Sequence, residues 1–72
     1  MKNKYDEFGK NVSKAAELLA KIFKKKDIPI FLQTPHVMLG AKTPLQALWE
    51  EGSTALKIIE IIVNHTLYGI VS

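Results

Sequence analysis

Thr34-Pro35-His36-Val37-Met38-Leu39-Gly40-Ala41-Lys42-Thr43-Pro44-Leu45-Gln46-Ala47-Leu48, closed soon after by Glu51-Gly52, is the stretch that decides the fold. Two Thr-Pro pairs bracket a short apolar loop that ends in glycine. The first pair stops a helix, because Pro35 pushes Thr34 out of the α region. The second pair opens one: Thr43 is placed as N-cap, Pro44 takes the first helical position, and Gln46 falls where a capping box needs it. Between the pairs, Val37, Met38 and Leu39 are apolar and are expected to bury themselves.

Working outward from that loop, every segment reads as helix or turn. Upstream, Tyr5, Phe8, Val12, Ala15, Leu19 and Ile22 recur at spacings of three and four. They predict an amphipathic helix from about Lys4 to Lys25, with Lys10, Lys14, Lys21 and Lys25 on its far face. Gly9 weakens the first two turns, so a start nearer Asn11 is an alternative. Asp6 and Glu17 each stand four residues before a lysine, the favourable order for surface pairs. Lys24, Lys25 and Lys26 suit a helix C-terminus.

A second, short helix is expected from Asp27 as N-cap, with Pro29 in its first turn and Ile28, Ile30, Phe31 and Leu32 as contacts. The third runs from Pro44 to about Glu50. Gly52 breaks it, Ser53 or Thr54 caps the last helix, and that helix continues to about Leu67, with Gly69 as the residue that ends it. The expected fold is an all-α bundle of about four helices: one long N-terminal helix, two short ones, and a long apolar C-terminal one. The organisation divides at 1–26, a basic amphipathic helix, and 27–72, within one compact domain.

In the last helix Ser53, Lys57, Glu60 and Asn64 form a narrow polar strip. Ala55, Leu56, Ile58, Ile59, Ile61, Ile62 and Val63 spread over more than half the circumference, whereas a surface helix needs an apolar stripe of only about 100°. Such a helix needs cover on two sides. Either the first helix wraps it or a second chain does, and the second chain is the preferred reading.

Composition agrees with a partner. The chain has 72 residues, 47% of them hydrophobic, and no cysteine, so neither a disulfide nor a thiolate metal site can supplement a small core. A dimer or another partner is expected, in the cytoplasm. Met1 to Lys10 has no apolar run of a signal peptide, and no stretch approaches the roughly 18–20 apolar residues of a membrane span. The net charge of +3 is uneven: residues 1–26 hold eight of the ten lysines, and there is no arginine. Without arginine, bidentate reading of guanine edges and phosphates is weakened.

Nothing in the sequence predicts chemistry. His36 and His65 are the only histidines, and neither has a cysteine or carboxylate pair at metal-ligand spacing, so no metal and no cofactor is expected. No serine sits in a nucleophile elbow, and four scattered glycines make no phosphate loop. His36 is expected to cap the loop or bond a carbonyl. Trp49 reads either as a partly buried residue at a helix end or as an interface anchor. Tyr68-Gly69-Ile70-Val71-Ser72 is an apolar tail, and Ile70 and Val71 are odd choices for a segment meant to stay wet.

These features resemble the toxin-binding domain of the Xre, MbcA and ParS antitoxins of bacterial type II toxin–antitoxin systems. The residues that carry the resemblance are Leu32, Thr34, Pro35, Leu39, Gly40, Thr43, Pro44, Leu45, Leu48, Glu51, Gly52, Tyr68 and Gly69, and it spans Ile28 to Ser72. The chain departs from the pattern where His36 replaces the usual Asn and where His65 and Leu67 replace an Arg and Glu. The resemblance implies a non-enzymatic protein that binds a cognate RES-domain toxin, of a class that consumes or transfers from NAD and shares an ADP-ribosyltransferase-like fold. It implies steric occlusion of the toxin's NAD pocket, with the last helix (Ile61, His65) and Tyr68, Gly69, Ile70, Val71 and Ser72 as the main contact. The loop from His36 through Met38 to Lys42, and Trp49, complete the expected surface.

Family members usually carry a helix-turn-helix domain ahead of this one. Only residues 1–27 precede the matched stretch, so DNA binding is doubtful; a stand-alone protein, a trimmed homologue, or reliance on another DNA-binding partner is expected. Two rival classes remain: a small basic DNA-binding dimer using the lysine face of the first helix, and a structural homo-oligomer.

Overall fold

The computed structural model describes residues 3–69. They form four α-helices and, among the described residues, no strand: α1 (Lys4–Leu19), α2 (Ile28–Leu32), α3 (Pro44–Glu51) and α4 (Ser53–Tyr68). Short 3-10 turns at Lys25–Asp27 and Val37–Leu39 stand before α2 and between α2 and α3. The all-α bundle expected from the sequence is what forms.

α1 starts at Lys4, not at Asn11, because Asn3 caps it: the Asn3 side chain accepts from the Asp6 amide at 2.9 Å. Its end differs from expectation. The helix stops at Leu19, the next residues turn tightly, and the Phe23 amide bonds back to the Leu19 carbonyl at 2.8 Å. Residues 4–26 are therefore not a single helix. Lys24, Lys25 and Lys26 lie beyond its end, and no basic residue occupies its last turn. Ile22 and Phe23, which extend the stripe in sequence, instead fold back against the core, where Phe23 meets Phe31 of α2 at 5.3 Å.

Two other expected caps do not form. Asp27 stands at the N-cap position of α2 without a side-chain bond, its backbone being taken up in the 3-10 turn. At α4 the N-cap residue is Gly52, with Ser53 already helical, so neither Ser53 nor Thr54 caps. The Thr43 cap is made: its hydroxyl accepts from the Gln46 amide at 3.1 Å, with Pro44 opening α3. Gln46 does not complete the capping box, because its amide donates to Glu50 one turn on, at 3.1 Å. Neither Asp6 nor Glu17 forms an ion pair; among the described residues only Lys42 does, with Glu50 and Glu51.

α1 and α3 both pack on α4. The helices α1 and α4 run side by side in the same sense: Asn11 lies beside Gly52, and further along Lys21 and Glu60 line one groove. Leu19, Leu48, Ile59, Val63 and Pro44 are fully buried at the centre, with Ala15, Leu32, Leu39, Ala47 and Ala55 filling around them. The small alanines let the helices approach, and the branched side chains fill the space between. No described helix is long and apolar enough to cross a membrane.

Candidate functional site

The loop between the two Thr-Pro pairs is built by its own backbone. The His36 ring nitrogen Nδ1 accepts from the Met38 amide at 3.1 Å, which caps the Val37–Leu39 turn. The His36 carbonyl accepts from Leu39 and Ala41 at 2.9 and 3.0 Å, and the His36 amide donates to the Lys42 carbonyl at 3.1 Å. Closing so short a loop needs two successive positive φ angles, +68° at Gly40 and +65° at Ala41. Glycine meets that requirement freely; alanine does so at a cost of about 1–2 kcal/mol.

The far end of the loop is tied to α3. Lys42 Nζ donates to Glu50 at 2.6 Å and to Glu51 at 3.4 Å. These bonds, Glu50 first and Glu51 second, hold the Lys42 amine above its ordinary value. Glu50 is correspondingly lowered, by the Lys42 bond and then by the Gln46 amide. A carboxylate lowered by folding stabilises fully above its unfolded pKa, and that contribution is lost as pH falls through the folded value. The raised Lys42 contributes throughout neutral pH and loses its share only above the usual lysine range. The Glu50 carboxylate, followed by NMR, is therefore expected to titrate at lower pH in the native chain than in Lys42→Met. An unchanged midpoint would remove the tether.

One expectation about the loop is reversed. Only Leu39 reaches the core; Val37 is 85% exposed and Met38 47%. The 3-10 turn aims one of its three side chains inward, and it packs on α4 through that side. On α4 itself, Ala55, Ile59, Ile62 and Val63 are buried and Leu56 and Ile58 half-buried, while Ile61 is 48% and Tyr68 73% exposed. At 100° per residue, Ile61, His65 and Tyr68 lie within about 60° of one another. The helix thus presents an outer stripe of two large apolar side chains and a histidine, turned away from the core. Gly69 follows with φ +71° and ends the helix, as expected. Ile70, Val71 and Ser72 lie outside the described residues.

Trp49 and His36 are less available. Tyr5 and Phe8 of α1 pack on the Trp49 ring at 5.2 and 5.3 Å, and Lys4 Nζ stands 4.3 Å from its centre. Trp49 is half-buried there, beside the first turn of α4. Tyr68 closes the other end of that helix, about 22 Å along its axis. Trp49 therefore belongs to the α1–α3 junction and not to the outer stripe. The His36 ring is half-buried 6.0 Å from Phe31. Of the motif residues, Leu39 and Pro44 are buried, Leu45 and Gly52 half-buried, and Thr34 bonds the Ile30 carbonyl through its hydroxyl at 2.6 Å. Pro35 follows, directly before the loop.

On the loop and on α4, two exposed apolar residues, Val37 and Leu67, are not named individually as contacts by the sequence. Their apolar character alone reads as core, and only the direction of the 3-10 turn and of the last helical turn exposes them. Among the described residues no three His, Cys, Asp or Glu side chains group to hold a metal ion. No family model, curated protein or solved structure matches the chain.

Proposed function

We propose that this chain is a non-enzymatic, antitoxin-like protein of the bacterial cytoplasm that binds a RES-domain toxin and occludes its NAD pocket. The observation that carries the reading is the large apolar side chains left in solvent on two neighbouring elements: Val37 and Met38 on the loop, Ile61 and Tyr68 on α4. A domain with so little interior gains by burying such groups, and a partner is the means. Aromatic and methionine side chains are enriched where proteins meet. The tether from Lys42 to Glu50 and Glu51 keeps the loop in place before binding, which lowers the ordering cost of association. In this reading Tyr68, exposed at the end of α4, meets the toxin cleft.

The test is co-expression with a RES-domain protein encoded beside this chain, followed by co-purification and an assay of NAD consumption. A stable complex with suppressed consumption is expected. Deleting residues 68–72 should restore toxin activity, and Tyr68→Ala should weaken the complex by about 2 kcal/mol or more, as for an interface anchor. Failure to form any complex, with the chain instead binding duplex DNA in a steeply salt-dependent manner, would replace this reading with a basic DNA-binding role for α1.

A further inference from the structure

A groove of about 510 Å³ runs between α1 and α4, floored by Leu18 and Leu56 and flanked by Lys14, Glu17 and Lys21 on one side and Lys57 and Glu60 on the other. We propose that this groove is a homodimer interface, in which a second copy of the chain seats its α1 over α4. At 100° per residue it is turned about 100° around α4 from the stripe of Ile61, His65 and Tyr68. A second copy and another partner can therefore be held at the same time.

Charge complementarity names the occupant. α1 and α4 run in the same sense, so a two-fold axis along the groove lays α1 of one copy over α4 of the other in matching direction. Glu17 then faces Lys57 of the second copy, and Lys21 faces its Glu60. The symmetry repeats both pairs, because an isologous interface uses the same patch twice. Among the described residues none of these four groups has an ion-pair partner within the chain, since only Lys42, Glu50 and Glu51 are so engaged. Half-buried Leu18 and Leu56 lie between the charges and are covered by the same contact.

Sedimentation equilibrium of the 72-residue chain, from low micromolar to millimolar concentration, tests the proposal. The expected mass is twice 8.1 kDa. Glu17→Lys should raise the dissociation midpoint by about tenfold or more, because the reversal places like charges together at two symmetric points. Adding Lys57→Glu to it should bring the midpoint back. Circular dichroism of each variant checks the fold, and should Glu17→Lys lose helix, Lys21→Glu with and without Glu60→Lys reads the same surface. A fully helical monomer at millimolar concentration would overturn the proposal. So would a dimer whose midpoint ignores the reversals, or one that the paired reversal fails to restore.

Discussion

Ile59→Ala is expected to cost about 2–5 kcal/mol, the range for truncating a fully buried branched side chain and leaving a cavity. Ile59 has no solvent exposure and sits among Leu19, Leu48 and Val63, where α1 and α3 meet α4. The three helices cannot collapse onto the gap, because Ala15, Ala47 and Ala55 already bring them close. A domain of 72 residues has about 4–11 kcal/mol in total. One substitution therefore removes a large share of it, and the melting temperature should fall by about 10–40 °C or the chain should not fold. Ile61→Ala, two residues along the same helix and half in solvent, should cost under about 1 kcal/mol. Both melts are compared at one protein concentration, since self-association shifts apparent stability. Equal losses at the two positions would mean that α4 is rotated from the orientation described.

That contrast shows where sequence reasoning reaches its limit. The apolar pattern of α4 identifies a helix but not which side faces in, because Ile58, Ile59, Ile61 and Ile62 are chemically equivalent. Only the arrival of α1 and α3 separates Ile59 from Ile61. Local signals fared better where one residue type carries the geometry. Thr43-Pro44 opens α3, Gly52 closes it, and Gly69 ends α4, since capping and positive φ select those residues strongly. Signals that depend on competition fared worse. Gln46 can complete a capping box or bond Glu50, and tertiary placement of Lys42 beside Glu50 settles that choice. The periodic stripe of α1 runs on through Ile22, yet the backbone turns after Leu19 so that Phe23 can meet Phe31.

The candidate binding surface was legible in part. Tyr68 is a motif residue, Met38, Ile61 and His65 lie on the loop and last helix that the resemblance implicates, and the structure leaves each of the four exposed. Val37 was expected inside, because apolar residues in a constrained loop read as core. A 3-10 turn brings residues three apart onto one side, so in a turn of three residues one side chain points in while the others point out. The positive φ of Ala41 has no sequence signal at all, alanine being neutral to turns. It follows from closing the loop between His36 and Lys42, and its strain is held by backbone bonds on both sides.

Gly52→Ala is expected to cost about 1–3 kcal/mol although there is room for the methyl group. An added Cβ would meet nothing nearer than the Asn11 side-chain nitrogen at 3.8 Å, an ordinary contact. The cost lies in the backbone, where φ +57° and ψ −124° form a combination that residues with a side chain scarcely enter. Gly52 ends α3 by donating its amide to the Leu48 carbonyl at 3.0 Å and starts α4 by accepting from Leu56 at 3.2 Å. Relaxing its dihedrals would re-aim a 16-residue helix against α1. Gly40 supplies the control: at φ +68° and ψ +33° it lies in the left-handed helical well, which asparagine also enters, and an added Cβ there meets nothing within 4 Å. Gly40→Asn should therefore cost only about 0.5 kcal/mol, whereas Gly52→Asn should cost as much as Gly52→Ala. Urea midpoints at unchanged m measure all three. If Gly52→Ala melts with the native chain, the α3–α4 junction does not depend on that conformation, and the direction of α4 is held by core packing alone.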